Sequence, residues 1–354
     1  MKTRPTKNGF SLVEVMVGMT VGLLGMIVIF QVFSLSEGNK RTTTSGGDAL
    51  QNGALALYNI ERDVRMAGYG FGDPSYLGCN VDAYDVGPPA RDPFNFTLAP
   101  LIITQGANND AAGDGTDSDT LTIMYGNSQD GVIGYELVTN AGPLDPYEMA
   151  TQFGFTQANG ELVVISEPGQ DCTLAQITSA GTSGGSFLVQ HGTGSYVDLN
   201  GDAQPVRYNK NTGLGNSYTI SAKLFKLGAQ PRNVQYSVIN NELASYAIIQ
   251  NVTETVADGI VNMQAIYGID TGSDGIVDLW QPALGAATLA QVVAVRVALV
   301  ARVGKREPGC TATTTAITWV GGTFDLSADP DWQCYRYKLF QTVVPLRSMI
   351  WRPA

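Results

Sequence analysis

The sequence predicts an α+β fold in which one long N-terminal hydrophobic helix precedes a large, mainly antiparallel β-sheet head. Two observations lead to this prediction. Residues 10–35 form an apolar run whose only ionisable side chain is Glu14. The rest of the chain alternates short β-prone segments with turns, and the whole contains 41 glycines and 16 prolines, which is typical of turn-rich β structure. No repeat of about 20–50 residues is visible, which argues against solenoids and propellers.

The composition argues against several classes of function. The 354 residues carry 21 basic and 32 acidic side chains, a net charge of −11, and a single histidine, His191. Phosphate-backbone binding needs clustered Lys and Arg, and no such cluster occurs, so we do not expect nucleic acid as a partner. One imidazole excludes multi-histidine metal and catalytic sites. We expect His191 to be a turn or surface residue.

Residues 10–35 are long enough to cross a membrane. As a helix they would span about 39 Å at ~1.5 Å per residue, against a hydrocarbon core of ~30 Å. The run is too long for an ordinary secretory signal, whose apolar part has about 7–15 residues. Lys2, Arg4 and Lys7 precede the run, whereas residues 37–41 after it sum to +1. This bias places the N-terminus in the cytoplasm and the head outside.

Glu14 is the feature that a plain membrane anchor does not explain. A carboxylate near the bilayer centre costs about 2.5–3.5 kcal/mol on insertion scales and calls for a partner. Cleavage after Gly9 would create a positive α-amine on Phe10, about one helical turn from Glu14 or close to the Glu14 of a neighbouring chain. The segment Gly9-Phe10-Ser11-Leu12-Val13-Glu14, behind a short basic leader, resembles the N-terminus of type IV prepilins.

That resemblance implies how the chain is processed. In the prepilin family a membrane aspartyl peptidase, the prepilin peptidase, removes the leader, and the new N-terminus is methylated. The resemblance therefore implies cleavage between Gly9 and Phe10 and N-methylation of Phe10. It also implies that Glu14 pairs with the N-terminus of an adjacent subunit during filament assembly.

Residues 36–71 are predicted to hold a hinge and then an amphipathic helix. The polar run SEGNKRTTTSGG follows the membrane segment and indicates either a weakened stretch of helix or a hinge, and Asp48 is a suitable N-cap for the next helix. That helix carries an apolar stripe at helical spacing, which we expect to pack on a sheet. Its members are Leu50, Ala54, Leu57, Ile60, Val64 and Ala67. The glycines at positions 68, 70 and 72 are expected to end the helix.

The end of this helix carries a second resemblance. Asp63-Val64-Arg65-Met66-Ala67-Gly68-Tyr69 is similar to a signature of the PilW family of minor pilins. A cysteine usually follows soon afterwards in that family, whereas Cys79 comes later here, which implies a short insertion. Weaker similarity returns at Tyr267–Asp270, Asp278, Trp280, Val295–Arg302 and Val344–Arg347. Residues 1–72 and about 255–350 carry the resemblance, and residues 80–250 do not.

The PilW resemblance implies a structural and assembly protein rather than an enzyme. Such a minor pilin waits in the inner membrane as a prepilin with its head in the periplasm, and then joins an extracellular pilus that it primes or caps. The implied partners are other minor pilins, the major pilin, the prepilin peptidase and the inner-membrane assembly platform, with a tip adhesin as a further candidate. Two alternatives stay open: a type II secretion pseudopilin, and a membrane-tethered periplasmic binding protein or enzyme.

Residues 72–354 form the predicted β-rich head, after the leader (1–9), the membrane segment (10–35) and the hinge with its helix (36–71). The predicted strands are Leu98–Gln105, Thr120–Tyr125, Val132–Thr139, Glu161–Ser166, Ser186–Gln190, Tyr218–Leu227, Asn233–Ile239, Glu242–Gln250, Ile260–Ile269, Leu289–Arg302 and Tyr335–Val344. Asn240-Asn241 lies between two of them and suits a two-residue hairpin turn.

Four cysteines are predicted to form two disulfides. Cys79, Cys172, Cys310 and Cys334 would lie in an oxidising compartment, where an even number favours disulfide formation. Three connectivities are possible. The short loop between Cys310 and Cys334 favours that pair, which leaves Cys79 with Cys172. None of the four forms a CxxC motif, so redox catalysis and zinc ribbons are poorly supported.

Calcium is the one cofactor for which the sequence offers candidates. Asp270, Asp274 and Asp278 surround a glycine turn, and Asp198, Asn200 and Asp202 have one-three-five spacing, although Ala203 stands where an EF-hand needs glycine. A third acidic run extends over residues 110–119. The alternative is that these acidic, glycine-rich turns are ordinary hairpin connections.

Overall fold

A single helix, α1, runs from Leu12 to Met66 and forms the N-terminal part of the computed structural model. The structure describes residues 9–87, 89–106, 117–128, 134–155, 160–213, 215–286 and 288–350, without the side chain of Thr42. With 55 residues, α1 is about 80 Å long at ~1.5 Å per residue. The sheets that follow it are mostly antiparallel, which confirms the predicted α+β layout.

Of the two alternatives for the polar run, a weakened stretch of helix or a hinge, the structure shows the helix, whereas the N-cap predicted at Asp48 is wrong. The helix continues without interruption through residues 36–47, and Asp48 lies inside it rather than capping a second helix. The polar segment contains no proline, so nothing in it removes a backbone donor. Extending an existing helix by one residue also costs far less than nucleating a new one.

The buried face of α1 differs from the predicted stripe in its first half. The residues of α1 that are buried against the head are Ala49, Gly53, Ala56, Ile60, Asp63 and Val64. Leu50 and Ala54, which we predicted to be buried, are exposed. Small residues occupy this face because the helix lies close to the sheet, and a methyl group on Gly53 would overlap the ring of Phe340.

The head contains many short strands. In chain order the described strands are β1 (Asn80–Asp85), β2 (Arg91–Thr97), β3 (Leu101–Thr104), β4 (Thr120–Tyr125), β5 (Tyr135–Glu136), β6 (Tyr147–Met149), β7 (Leu162–Ser166), β8 (Cys172–Gln176), β9 (Ser179–Ser183), β10 (Ser186–Gln190), β11 (Ser195–Val197), β12 (Ala203–Pro205), β13 (Lys223–Gly228), β14 (Arg232–Ile239), β15 (Glu242–Ala247), β16 (Val252–Asp258), β17 (Ile260–Ile269), β18 (Leu279–Gln281), β19 (Val292–Arg302), β20 (Ile317–Trp319), β21 (Gly322–Phe324) and β22 (Tyr337–Pro345).

Two antiparallel sheets form the first lobe of the head and hold the C-terminal half of α1. Their strand orders are β16-β15-β14-β4-β3 and β18-β17-β19-β22. Side chains from both sheets and from α1 share one hydrophobic core. A short C-terminal helix, α2 (Arg347–Ile350), adds Met349 to that core. The C-terminal half of α1 and the short helix α2 therefore lie in the same core.

A second lobe is built by the segment between β4 and β14, together with β1 and β2. Its six-stranded sheet has the order β2-β1-β8-β7-β13-β5, with β1 and β8 parallel. The sheet β6-β10-β9 covers one face, and Phe71, Met124 and Ile249 lie against the other. Both faces are covered, so β7 and β8 are buried at every position. The hairpin β11–β12 projects beside this lobe.

Residues between β19 and β22 cover the face of the four-stranded sheet that is turned away from α1. The hairpin β20–β21 places Trp319 and Phe324 there, with ring centroids 6.1 Å apart. They pack on Ile266, Ala298 and Val300. This sheet is therefore buried on both faces, as its nearly continuous apolar strands require.

The predicted strands are all present, and most of them have different ends. Thr120–Tyr125, Ser186–Gln190 and Ile260–Ile269 agree to the residue. The start of the predicted Val132–Thr139 lies outside the described residues, and its described part is reduced to β5. Asn240 and Asn241 form the predicted hairpin turn with φ values of 54° and 63°, a region that asparagine tolerates. The prediction missed β1, β2, β6, β8, β9, β11, β12, β16, β18, β20 and β21.

Candidate assembly site

The predicted processing and assembly residues lie together at the start of α1. Ser11 is the N-cap of the helix, and its hydroxyl accepts a hydrogen bond from the backbone N–H of Glu14 at 3.2 Å. Gly9 and Phe10 precede the helix in non-helical backbone, and Phe10 is 84% exposed. The peptide bond that we predict to be cleaved is thus outside regular structure. The rest of the leader, residues 1–8, lies outside the described residues.

Sequence reasoning missed Ser11, although the spacing Ser-x-x-Glu is the usual sign of a helix start. The cap fixes Glu14 in the first turn, where the helix dipole favours a negative charge. Within the described part of the chain, the carboxylate of Glu14 has no hydrogen-bond or ion-pair partner. Glu14 is therefore a charged group on an apolar surface, open to a partner from another chain.

The first half of α1 is apolar and uncovered. Every large apolar side chain from Leu12 to Leu35 is exposed. By length and composition, α1 is sufficient to cross a membrane, and none of its apolar window is buried by the head. A contiguous apolar surface of this extent marks contact with lipid or with other proteins.

Asp63 joins α1 to the five-stranded sheet. Its carboxylate is fully buried. Oδ2 accepts a hydrogen bond from the hydroxyl of Tyr236 on β14 at 2.8 Å, and Oδ1 accepts one from Tyr125 on β4 at 3.0 Å. Arg62 Nε and Nη2 both donate to Oδ1 at 3.1 Å. A buried carboxylate that is paired in this way fixes both the rotation and the height of the helix on the sheet.

The tyrosines at this junction stay protonated over the whole physiological range. Burial, reinforced by the neighbouring Asp63 carboxylate, raises the pKa of Tyr125 to about 12. The same causes raise the pKa of Tyr236 further. Both phenols therefore remain hydrogen-bond donors to Asp63. Asp63 belongs to the PilW-like signature, but the sequence did not predict this contact. Its two tyrosine partners lie 62 and 173 residues away along the chain.

The chain leaves the helix through a tight turn that the sequence predicted. Gly68 has a positive φ of 78°, and Ser348 of α2 lies where a side chain at this position would project. The N–H of Gly68 donates to the carbonyl of Met124 at 2.8 Å. The Ser348 hydroxyl donates to the carbonyl of Ala67. The end of α1 is thus bonded both to β4 and to the last helix.

Both disulfides have the favoured connectivity, Cys79–Cys172 and Cys310–Cys334. The first joins the segment after α1 to β8 of the second lobe. The second closes the segment that covers the four-stranded sheet. No described cysteine is free.

A second buried carboxylate, Asp85, joins the two lobes. Arg207 Nε and Nη2 donate to Asp85 at 2.6 and 2.9 Å, and Arg91 Nη2 donates at 2.8 Å. Arg91 also donates to the carbonyl oxygens of Ile248 (2.7 Å) and Ile249 (2.6 Å), just after β15 of the first lobe. Burial by itself would raise the pKa of Asp85, but the hydrogen bonds from Arg207, Arg91 and the Gly87 N–H lower it to about 2.

The predicted calcium ligands serve as hydrogen-bond acceptors within their own loops. Asp270 accepts from the N–H groups of Asp274 (3.3 Å) and Gly275 (2.8 Å). Asp278 accepts from the hydroxyl and N–H of Thr271 at 2.7 and 2.8 Å, which lower its pKa. A cation at this loop would have to share these oxygens.

In the loop of Asp198, Asn200 and Asp202, a carboxylate likewise accepts hydrogen bonds from its own loop. Asp198 accepts from the N–H groups of Asn200 and Asp202, both at 2.9 Å, and backbone hydrogen bonds lower its pKa. Residues 110–116 of the third acidic run lie outside the described residues. Among described residues, one triad could bring ligand atoms together, Cys310, Asp331 and Cys334, and its two sulfurs form a disulfide. Calcium binding stays a prediction.

His191 lies after β10, at a strand end as predicted. Its ring stacks on Tyr147 with centroids 4.3 Å apart, and Nε2 lies 2.8 Å from the carbonyl oxygen of Asp145. Burial lowers its pKa. His191 therefore has a packing role at this turn.

A helix that its own head leaves uncovered over its first half calls for a cover of lipid or of neighbouring helices. Residues 4–30 match the family model described as the Prokaryotic N-terminal methylation motif. Residues 233–348 match the model described as Type IV Pilus-assembly protein W, PilW. No curated protein and no solved structure matches the chain.

These two matches support a minor pilin role in type IV pilus assembly. The prepilin motif and the apolar helix indicate membrane anchoring with a pilus-associated head. The pilin-family matches point to a structural, non-enzymatic role and imply interaction with other pilins and the assembly machinery. The PilW match begins within β14, earlier than the residue 255 at which the sequence resemblance was placed, and it ends in α2. It therefore covers most of the first lobe.

We predict that Asp63→Ala destabilises the head by about 3 kcal/mol, because two buried tyrosine hydroxyls lose their acceptor. Urea denaturation of the full chain in detergent, followed by tryptophan fluorescence, measures this. Glu61→Ala is the matched control, since it breaks an exposed i,i+4 pair with Arg65 and should cost no more than about 0.5 kcal/mol. Equal effects of the two substitutions would contradict the role of Asp63.

We predict that the Asp85 contacts are lost in acid. The folded pKa of about 2 lies below the ordinary value of 3.8, so the stabilisation is complete above about pH 5 and disappears as the pH falls through 4 towards 2. The free energy of unfolding of the wild type minus that of Asp85→Asn should shrink by about 2 kcal/mol over this range. Asp82→Asn, on the same strand but without an arginine partner, should show no such trend. A pH-independent difference for Asp85→Asn would refute the assignment.

If the acidic loops bind calcium, millimolar Ca²⁺ should raise the Tm of the full chain above its value in EDTA, because a ligand that binds only the folded state stabilises it. Replacing Asp270, Asp274 and Asp278 together by Asn should abolish the difference. Magnesium serves as the control for ionic strength. An unchanged Tm in calcium would remove the hypothesis.

Proposed function

We propose that this chain is a minor pilin that is cleaved after Gly9, methylated at Phe10 and drawn into a type IV pilus through Glu14. The observation that carries the proposal is the unpartnered Glu14 carboxylate in the first turn of an uncovered apolar helix. The prepilin peptidase and the inner-membrane assembly platform would act on this end. The head would lie in the periplasm before assembly and outside the cell afterwards.

Electrostatics explain the choice of Glu14. Removal of the leader takes away three positive side chains and leaves one positive α-amine on Phe10. In the hydrocarbon layer an isolated carboxylate and an isolated ammonium are each costly, whereas a pair is much less so. A subunit entering the filament base would satisfy its own charge and that of its neighbour in one step.

The second half of α1 supports assembly as well. Its buried face carries small residues, while Leu50 (50% exposed) and Tyr58 (62% exposed) project on the outer side together with Leu55 and Met66. The polar residues 36–48 separate this outer side from the apolar surface of the membrane segment. Large apolar side chains that the head does not cover are suited to packing against the helices of neighbouring subunits in a filament core.

We infer further that the chain primes or caps the filament together with other minor pilins, contacts the major pilin and supports a tip adhesin. The PilW match, which covers the lobe that holds α1, supports this position over that of a type II secretion pseudopilin. Deletion would discriminate between them, since loss of pili with intact secretion indicates a pilin and the reverse indicates a pseudopilin. An uncleaved Met1 start on the membrane-extracted protein would instead indicate a tethered periplasmic protein.

We predict that Glu14→Ala reaches the membrane and is cleaved normally, but that its amount in sheared pili falls about tenfold or more, because a charge-assisted contact is lost. Immunoblotting of sheared pili measures incorporation, and mass spectrometry checks for a methylated Phe10. Glu37→Gln, on the same helix outside the apolar segment, is the matched control and should assemble normally. Normal incorporation of Glu14→Ala would refute the mechanism.

A further inference from the structure

A cleft lies where the head reaches α1 just beyond the apolar segment of the helix. Lys305, in the loop after β19, donates from Nζ to the carbonyl oxygen of Gly38 at 3.2 Å, although the two residues are 267 positions apart. This contact places Lys305 beside the polar part of α1 and leaves a cleft of about 370 Å³ between them. We call it the basic cleft and define it by its lining residues, which are Glu37, Lys40, Arg41, Thr44, Ser45 and Lys305.

The basic cleft is positively charged, whereas the chain as a whole is acidic. Three cations line it against one carboxylate, Glu37. Oε1 of Glu37 accepts a hydrogen bond from Arg41 Nε at 3.1 Å, so these two charges offset each other. The charges of Lys40 and Lys305 remain in excess. An ammonium group carries three donors, so the bond from Lys305 to Gly38 leaves it able to bind an anion as well.

The charged side chains next to Lys305 on the head do not offset this excess, because they pair with one another. Arg306 Nη2 lies 3.0 Å from a carboxylate oxygen of Asp331. Arg336 Nε lies 2.6 Å from a carboxylate oxygen of Glu307. Each pair is neutral, so the cleft keeps its positive charge and favours an anionic ligand.

The basic cleft lies at the level of lipid headgroups when α1 spans a membrane. The apolar segment ends at Leu35, and the cleft begins two residues later at Glu37 and continues through Lys40. At ~1.5 Å per residue, these positions lie about 3–8 Å beyond the apolar segment along the helix axis. The headgroup layer extends about 5–8 Å beyond the hydrocarbon core on each side. Long basic side chains place their charges in this layer.

The face of α1 directly below the basic cleft is apolar and exposed. Phe33 precedes Glu37 by four residues, and Ile29 precedes Phe33 by four, so all three lie on one face of the helix. Phe33 and Ile29 are each 68% exposed. A molecule that places an anionic group in the cleft would therefore bring attached acyl chains onto this apolar face. A free phosphate would leave the same face uncovered.

We propose that the basic cleft binds the phosphodiester headgroup of an anionic phospholipid in the outer leaflet of the inner membrane, an inference that rests on the membrane placement proposed above. The ammonium groups of Lys40 and Lys305 match the charge of this headgroup. The hydroxyl groups of Thr44 and Ser45 supply further donors to its oxygen atoms. The apolar face around Phe33 receives its acyl chains. A zwitterionic phospholipid fits less well, because its own cationic group would be repelled by the two lysines.

Such a lipid would bind α1 and the head at the same time. Lys40 belongs to the helix, and Lys305 belongs to the loop after β19. A headgroup between them would hold the head at a fixed height above the membrane before the chain enters a filament.

The test titrates the full chain, in a non-ionic polyoxyethylene detergent, with phosphatidylglycerol or phosphatidylcholine and measures the lipid-bound species by native mass spectrometry. We expect the first phosphatidylglycerol to bind about tenfold or more tightly than phosphatidylcholine, because two cations favour the anionic lipid. The preference should shrink as the salt concentration rises, since salt screens exposed charges. Glycerol phosphate, which has no acyl chains, should not compete. Equal affinities for the two lipids, or competition by glycerol phosphate at the same concentrations, would overturn the proposal.

Variants then locate the site. Lys40→Gln and Lys305→Gln should each weaken phosphatidylglycerol binding about fivefold and leave phosphatidylcholine binding unchanged, because each removes one positive charge near the membrane surface. Arg347→Gln removes the same charge from the exposed start of α2, beside the opposite end of α1, and should change the affinity less than about twofold. The Tm of each variant confirms that it folds. Unchanged phosphatidylglycerol binding by both cleft variants would overturn the proposal.

The N-terminus of the same preparations separates the lipid site from the proposed processing. The cleft variants keep Gly9, Phe10 and Glu14. Equal lipid affinities in a chain that starts at a methylated Phe10 would refute the lipid site alone. A preference for phosphatidylglycerol in a chain that starts at Met1 would support the lipid site and refute the processing.

Discussion

The hydrogen-bonded carboxylate of Asp63 is the contact on which the rest of the structure depends. α1 must present one half to lipid or to other subunits while its other half carries the head, so the head has to be fixed to the helix at a defined rotation. Apolar packing alone does not set rotation sharply, because it has no direction. Two tyrosine hydroxyls from neighbouring strands do set it, since an unsatisfied buried donor is costly. Once Asp63 is placed, the remaining residues of the same face follow by helical geometry.

The helix α1 lies very close to the sheet. This explains why its buried face carries Ala49, Gly53 and Ala56, while its leucines lie on the outer side. Phe340 of β22 occupies the space above Gly53, so the sheet supplies the volume that the helix omits. The sequence pattern misled us at this point, because a stripe of large apolar residues normally marks the buried side. The larger residues lie on the exposed side instead. The helix has two apolar stripes, and the sequence alone does not show which of them the sheet covers.

A structural feature could be predicted from the sequence when the residues that cause it lie close together along the chain. The apolar run, the terminating glycines, the Asn240–Asn241 turn and the short Cys310–Cys334 loop are local, and all four are present in the structure. The strands of the second lobe were mostly missed, because β8 and β9 contain polar and small residues without alternation. The Asp85 contacts join residues up to 158 positions apart, so no window of sequence contains them.

β14 is where α1 and the two lobes of the head meet. Its Tyr236 donates to Asp63 and so holds α1, while its first residue, Arg232, follows the last strand of the second lobe, β13, by four residues. The PilW match begins within this strand, and most of the second lobe precedes it in the chain. Arg91 and Arg207 hold that segment to the carbonyl groups that follow β15. The second lobe is therefore hydrogen-bonded to the lobe that carries the helix, so the two lobes are fixed to one another as well as to α1.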